Sequence, residues 1–125
     1  MSTATAVMTT QDVANRMNEL FKENKWDQVQ DELFAQDVVS IEPENSQALK
    51  SVKGMAAIKQ KGKDFNAMVE AMHDGWCSEP IVAGNFISVG MGMDVTMKGM
   101  GRMKMDEIAV YEVKDGKVVK EQFFF

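Results

Sequence analysis

Asp106 and Glu121 are the residues of this sequence best placed to do chemistry, because both lie in strand-like arms of one closing segment, Met103 to Phe125. Asp115-Gly116 between two alternating runs is a strong hairpin signal, since a type I′ turn needs positive φ at both central positions. With Lys114 opposite Lys117, Val113 faces Val118, Val110 faces Glu121, Ile108 faces Phe123, and Asp106 falls beside Phe125. Both carboxylates then share a face with Ile108, Val110, Phe123 and Phe125. The opposite face carries Met103, Met105, Glu107, Ala109, Tyr111, Val113, Val118, Lys120, Gln122 and Phe124. A carboxyl held among apolar groups has its charged form disfavoured, which raises its pKa and suits it to general acid or base work. Glu42, before Pro43, is the third candidate. The alternative is a wet sheet edge, where Asp106 pairs with Lys104, and Glu121 with Lys120 or Arg102.

These acids need elements to hold them. Residues 1–8 read as a mobile tail, and a single domain follows over 9–125. Thr9 or Thr10 caps a helix to about Asn24 that carries Asp12 in its first turn and Val13, Met17, Leu20 and Phe21 at helical spacing. A second helix is expected over Trp26–Phe34, with Trp26, Val29 and Leu33 on one stripe. A strand over Val38–Glu42 ends where Pro43 biases Glu42 toward extended backbone. A third helix from near Gly54 turns Ile58, Phe65, Met68, Val69 and Met72 inward and its lysines outward, with Gly62 weakening it. Strands then follow over Gly75–Glu79 and Asn85–Met97, joined at Ala83-Gly84-Asn85. The longer one alternates Ile87, Val89, Met91, Met93, Val95 and Met97 against Ser88, Gly90, Gly92, Asp94 and Thr96. A turn at Gly99-Met100 sets Met97 opposite Arg102 and Met93 opposite Asp106. Three helices and a mostly antiparallel meander make an α+β plan, with a wedge-shaped interior suited to an apolar ligand. The expected pocket wall comprises Met17, Phe21, Met91, Met93, Ile108, Val110, Phe123 and Phe125.

Composition removes several functions. The 125 residues hold 14 basic and 19 acidic side chains, a net charge of −5, which gives little electrostatic support for binding nucleic acid or an anionic membrane. No apolar run approaches the roughly 20 residues of a membrane helix, and the start lacks a signal-like pattern, so a cytoplasmic protein is expected. One cysteine, Cys77, and one histidine, His73, cannot build an internal disulfide or a zinc cluster. No metal or cofactor is therefore expected. His73, Trp26, Trp76 and Cys77 read as structural groups, and Tyr111 as a core or interface aromatic.

Phe34-Ala35-Gln36-Asp37 running into a strand that ends Glu42-Pro43, the Val52-Lys53-Gly54 helix entry and the closing EIAVYEVKDGKVVKEQFFF resemble SnoaL-like proteins of the nuclear transport factor 2-like superfamily. The resemblance covers the chain from about Thr10 to the end. It implies a cone-shaped barrel of curved, mixed, mostly antiparallel sheet packed against three helices, with an interior pocket and a homodimer formed through the outer sheet face. Met103, Met105, Ala109, Tyr111 and Phe124 would lie in that interface. The superfamily includes polyketide cyclases, ketosteroid isomerases and limonene epoxide hydrolases. Glu42 falls where the isomerases hold an aspartate base, and Asp106 where they hold a protonated aspartate that stabilises the oxyanion. Met17 and Asn18 stand in the region of the isomerases' first-helix tyrosine, and neither Arg16 nor Arg102 has the spacing of the epoxide hydrolases' bridging arginine. The implied activity is a cofactor-free isomerisation or cyclisation of a small apolar or carbonyl-containing ligand, with a non-catalytic ligand-binding or association module as the alternative.

Overall fold

The computed structural model describes residues 7–46 and 49–125. In chain order the elements are α1 (Thr10–Lys22), α2 (Trp26–Leu33), β1 (Phe34–Ile41), β2 (Val52–Lys53), α3 (Met55–Met68), β3 (Val69–Cys77), β4 (Ile81–Ala83), β5 (Phe86–Met97), β6 (Gly101–Lys114) and β7 (Lys117–Phe124). Seven strands form one curved, unclosed sheet in the order β2-β1-β7-β6-β5-β3, with β4 paired to β5. All pairings are antiparallel except β1 with β7, which is parallel. The α+β architecture is as expected, though the sheet does not close into a barrel. Of the expected tail, residues 1–6 lie outside the described residues. Val7 and Met8 lie over the β6–β7 turn, where a Cβ on Gly116 would meet Val7 Cγ1 at 2.9 Å.

Helix α1 begins as its sequence dictates. Thr9 Oγ1 accepts from the Asp12 N–H at 3.1 Å, and Asp12 Oδ2 accepts from the Thr9 N–H at 3.0 Å, a reciprocal cap that stabilises such a helix by about 1 kcal/mol. Val13, Ala14, Met17, Leu20 and Phe21 form its buried stripe. The Arg16 guanidinium donates to both Glu32 oxygens, at 2.8 and 2.7 Å, and ties α1 to α2. Val29 and Leu33 are buried as expected, whereas Trp26 stays part-exposed and stacks on Phe21 with ring centroids 4.4 Å apart.

Helix α3 is shorter than its apolar spacing suggests. It stops at Met68, and Val69, Met72 and His73 belong to β3, where Val69 pairs with Met97 of β5. Ladder bonds to the long β5 strand outweigh the helical pattern in a segment already weakened by Gly62. Met72 is exposed, and His73 Nε2 lies 2.7 Å from Thr96 Oγ1. Strand β1 is also longer than expected, running directly from α2 at Phe34.

Two departures in register decide which side chains face inward. The Asp115-Gly116 turn forms as expected, with φ of 51° and 75°, and sets Lys114 opposite Lys117 and Val113 opposite Val118. Beyond it the pairing slips by one: Glu112 faces Lys120, Tyr111 faces Glu121, Ala109 faces Phe123 and Ile108 faces Phe124. Val119 is the extra residue of a β-bulge. At the other end of β6, the turn carries two left-handed glycines, Gly99 and Gly101, and sets Met97 opposite Gly101 and Met93 opposite Met105, one residue from expectation. The odd-numbered β6 residues thus face the helices, with Ala109, Tyr111 and Val113 buried, and the even-numbered ones face outward.

Candidate functional site

Strand register and one helix position build a polar cluster inside the sheet. Ser40 of β1 pairs with Glu121 of β7, and the Ser40 hydroxyl donates to Glu121 Oε1 at 2.8 Å. Glu42 follows two residues later, on the same side as Ser40. Its own N–H donates to Ser51 Oγ at 2.9 Å, which pins the strand end. Gly54, with φ of 93°, donates its N–H to Val38 O at 2.7 Å and so fixes where α3 leaves the sheet. One turn after the buried Ile58, Lys61 reaches back over β1. Its ammonium donates to Glu42 Oε2 at 2.8 Å and to Ser40 Oγ at 2.6 Å, and stands 5.5 Å from the centre of the Phe123 ring. Its side chain is only 11% exposed, so this lysine points inward, contrary to the outward lysines expected of α3. Ser40, Glu42 and Glu121 are all buried.

Glu107 completes the cluster from β6, where it pairs with Met91 and lies on the face of Ala109 and Tyr111. It is half-buried. Burial first, then the nearby charges of Glu42 and Glu121, push its carboxyl up to about 7, against a smaller opposing pull from Lys61. Burial likewise raises Glu121 to about 6, while the Ser40 hydroxyl and Lys61 hold it down. The Tyr111 hydroxyl, buried beside these acids, is pushed well above its ordinary range. Phe21 and Phe34 pack near the Tyr111 ring, with centroids 6.5 and 6.3 Å away, and link the cluster to the apolar core. Near neutral pH the site therefore combines an ion-paired carboxylate, an ammonium, and two acids poised to hold or release a proton.

Two of the three candidate acids from the sequence, Glu42 and Glu121, come together here. Asp106 does not, because the register places it on the outer face. There it is exposed and accepts a hydrogen bond from Trp76 Nε1 at 3.1 Å. The Trp76 indole lies over Gly92, where any Cβ would run into both Trp76 and Asp106. Among the expected pocket residues, Met17, Phe21 and Met91 are buried in the core, and Phe123 is partly buried beside Lys61. Ile108 and Val110 face outward with Asp106, and Phe125 is largely exposed, so these three leave the pocket wall. Met93 lines an open cleft of about 310 Å³ with Asp74, Trp76, Asp94, Lys104 and Asp106. Ala109 and Tyr111, expected at a dimer interface, are core residues for the same reason of register. Ser40, Lys61 and Glu107 escaped the sequence reading. The signal for Glu107 was its alternation with Ala109, Tyr111 and Val113, a stripe as apolar as the one chosen.

Helices on one side of a curved mixed sheet, with acids on the covered face, define an α+β protein of the nuclear transport factor 2-like class. Within that class the chain belongs to the SnoaL-like domain family, whose sequence model matches residues 8–125. A Mesorhizobium loti protein, provisionally named a SnoaL-like polyketide cyclase and carbohydrate phosphatase, shares 30% identity, with 94% of this chain and 100% of that one covered at a TM-score of 0.88. IdmH of Streptomyces antibioticus, a candidate polyketide cyclase, is 15% identical over 94% and 91% of the two chains at a TM-score of 0.67. A Catenulispora acidiphila protein of ketosteroid isomerase-like fold, in complex with trimethylamine, is 14% identical over 94% and 87% at 0.69. No protein with a curated description matches the chain. Among the described residues no helix is long and apolar enough to cross a membrane.

Proposed function

We propose that the chain binds a small, neutral, carbonyl-containing molecule against the covered face of the sheet and moves a proton α to the carbonyl, without a cofactor, in an isomerisation or cyclisation. The observation that carries this reading is the buried Glu42–Lys61–Ser40–Glu121 chain with Glu107 facing it. Lys61 engages Glu42 Oε2, and Oε1 is assigned to take the proton. Glu107, which holds its own proton up to about pH 7, donates a hydrogen bond to the developing enolate oxygen. Glu121 is the reserve acid behind Ser40. The names of the Mesorhizobium loti and Streptomyces antibioticus relatives, both polyketide cyclases by designation, support chemistry of this kind. The test is incorporation of solvent deuterium α to the carbonyl of cyclic ketone probes, followed by NMR. Glu42→Gln and Glu107→Gln are each expected to slow exchange by about 100-fold or more. Full exchange in both variants would overturn the assignment.

A second reading, association of two copies through the outer sheet face, is favoured by the exposed Trp76, Phe86, Ile108 and Phe124 on that face. Arg102 and Lys104 alternate there with Asp94 and Asp106, a pattern that a two-fold axis can pair with itself. Sedimentation equilibrium at micromolar concentration is expected to give a dimer, and Ile108→Glu a monomer. A monomeric wild-type chain contradicts it.

A further inference from the structure

Lys61 is the cation at the centre of the interior cluster, and its surroundings say what it does. From β1 it meets Glu42 and Ser40, and through Ser40 it reaches Glu121 of β7. The Phe123 ring of β7 lies under the ammonium. From β6, Glu107 and the Tyr111 hydroxyl belong to the same electrostatic neighbourhood, and Cys77 of β3 couples to Tyr111. On its own helix, Lys59 turns the other way and pairs with Asp31 at 2.9 Å. Among the described residues, Lys61 is therefore the one cation in contact with the interior acids.

We propose that Lys61 is a positioning residue: its ammonium clamps the Glu42 carboxylate and, through Ser40, the Glu121 carboxyl, so that three interior acids share one internal counter-ion and act as a coupled set. This deepens the proton-transfer reading and rests on it only for its kinetic consequence. The geometry separates this role from two others that a buried lysine can take. A Schiff-base nucleophile needs a neutral amine, whereas this one is ion-paired at 2.8 Å in a site without excess positive charge. A lysine that captures an anionic ligand needs uncommitted donors facing the ligand, whereas two of its three protons are spent on Glu42 and Ser40. The opposing pull of Lys61 on both Glu107 and Glu121 agrees with the counter-ion role. The ligand class that follows is neutral: a carbonyl oxygen finds a protonated carboxyl to bind, and a second anion would meet carboxylates.

The experiment follows the carboxyl carbons of Glu107 and Glu121 by NMR through a pH titration, in the wild type and in Lys61→Met, Lys61→Arg and Ser40→Ala. In Lys61→Met both midpoints are expected to rise by about one pH unit, the effect of withdrawing one nearby opposite charge. Lys61→Arg, which keeps the cation, restores them. Ser40→Ala raises Glu121 and leaves Glu107 in place. Unmoved midpoints in a folded Lys61→Met protein overturn the proposal. Should that variant not fold, Lys61→Gln keeps hydrogen-bonding capacity without the charge, and unmoved midpoints there have the same force. Borohydride treatment in the presence of a cyclic ketone probe is expected to leave Lys61 unmodified, and a reduced adduct on Lys61 would also overturn it. The pH profile of deuterium exchange then moves with the midpoints. If no variant and no wild type exchanges the probe, the proton-transfer reading fails on its own, and the titrations still decide the role of Lys61.

Discussion

Asp106 and Glu107 are neighbours in one strand and live in different solvents. Asp106 faces out, exposed, with Trp76 Nε1 as its partner, whereas Glu107 faces the helices and keeps its proton to about pH 7. The chemistry of the two side chains differs by one methylene, so environment accounts for almost all of the contrast. Environment in turn is set by parity along β6, and parity is set by what the neighbouring strands do. The lesson is that register selects the interior acids: the β5–β6 pairing turns Glu107 inward and Asp106 outward, and the bulged Val119 brings Glu121 of β7 to the same face as Glu107.

The largest effect expected from this contrast is kinetic. Glu107→Gln removes the protonated acid from the covered face, and its deuterium-exchange rate should fall by about 100-fold or more, as should that of Glu42→Gln. If Glu107→Gln exchanges at the wild-type rate, the covered face loses its claim to the chemistry.

The next effect is on stability, and its sign follows from the raised carboxyls. Glu107 and Glu121 hold protons in the folded state, up to about 7 and about 6, at pH values where the unfolded chain has released them near 4.5. Between these limits the native state binds more protons, so unfolding becomes easier as pH rises. Their contribution is fully present below about pH 4.5 and is lost as pH climbs through 6 and 7. For the buried Glu121 alone the loss is about 2 kcal/mol, and Glu121→Gln should remove that part of the slope in urea denaturation between about pH 4 and pH 7. Glu32 works in the opposite sense. Its bond to Arg16 lowers it to about 2, so what it contributes is present above 4.5 and fades only as pH falls toward 2. It is only partly buried, contributes little, and lies outside the window. A stability that rises from pH 5 to pH 8 would break the inner-face assignment.

Much of this arrangement was legible beforehand. The Asp115-Gly116 turn, the capped first helix, the Glu42-Pro43 strand end and the order of helices and strands follow from local chemistry that acts within a few residues. Glu42 and Glu121 stand out from local features, a strand end and a hairpin arm, but the expected register put Glu121 opposite Val110 on the face of Asp106, and the structure puts it opposite Tyr111. What was not legible is non-local. The bulge at Val119 carries no glycine, and it lies where β7 pairs with both β6 and the parallel β1. Lys61 was misread because a helix with a weak apolar stripe does not announce which face it buries, and its partners on β1 are 19 and 21 residues away in sequence. The slip between β5 and β6 turned on a glycine-flanked loop whose length admits two registers.

The smallest expected effect is the sharpest control. Asp106→Asn keeps a carbonyl oxygen to accept from the Trp76 indole, leaves the covered face untouched, and should alter ketone exchange by less than about twofold and stability by about 0.5 kcal/mol or less. It differs from Glu107→Gln by one position in the chain and makes the same carboxyl-to-amide exchange on the other side of the sheet. A loss in Asp106→Asn as large as in Glu107→Gln would mean that the outer cleft, with Asp74, Asp94 and Lys104 around it, takes part in the reaction. Should two copies cover that face, any loss would instead depend on protein concentration, because dilution uncovers Asp106 without changing Glu107. Rates compared across the dimer's dissociation range therefore separate a carboxylate that does chemistry from one that holds two surfaces together.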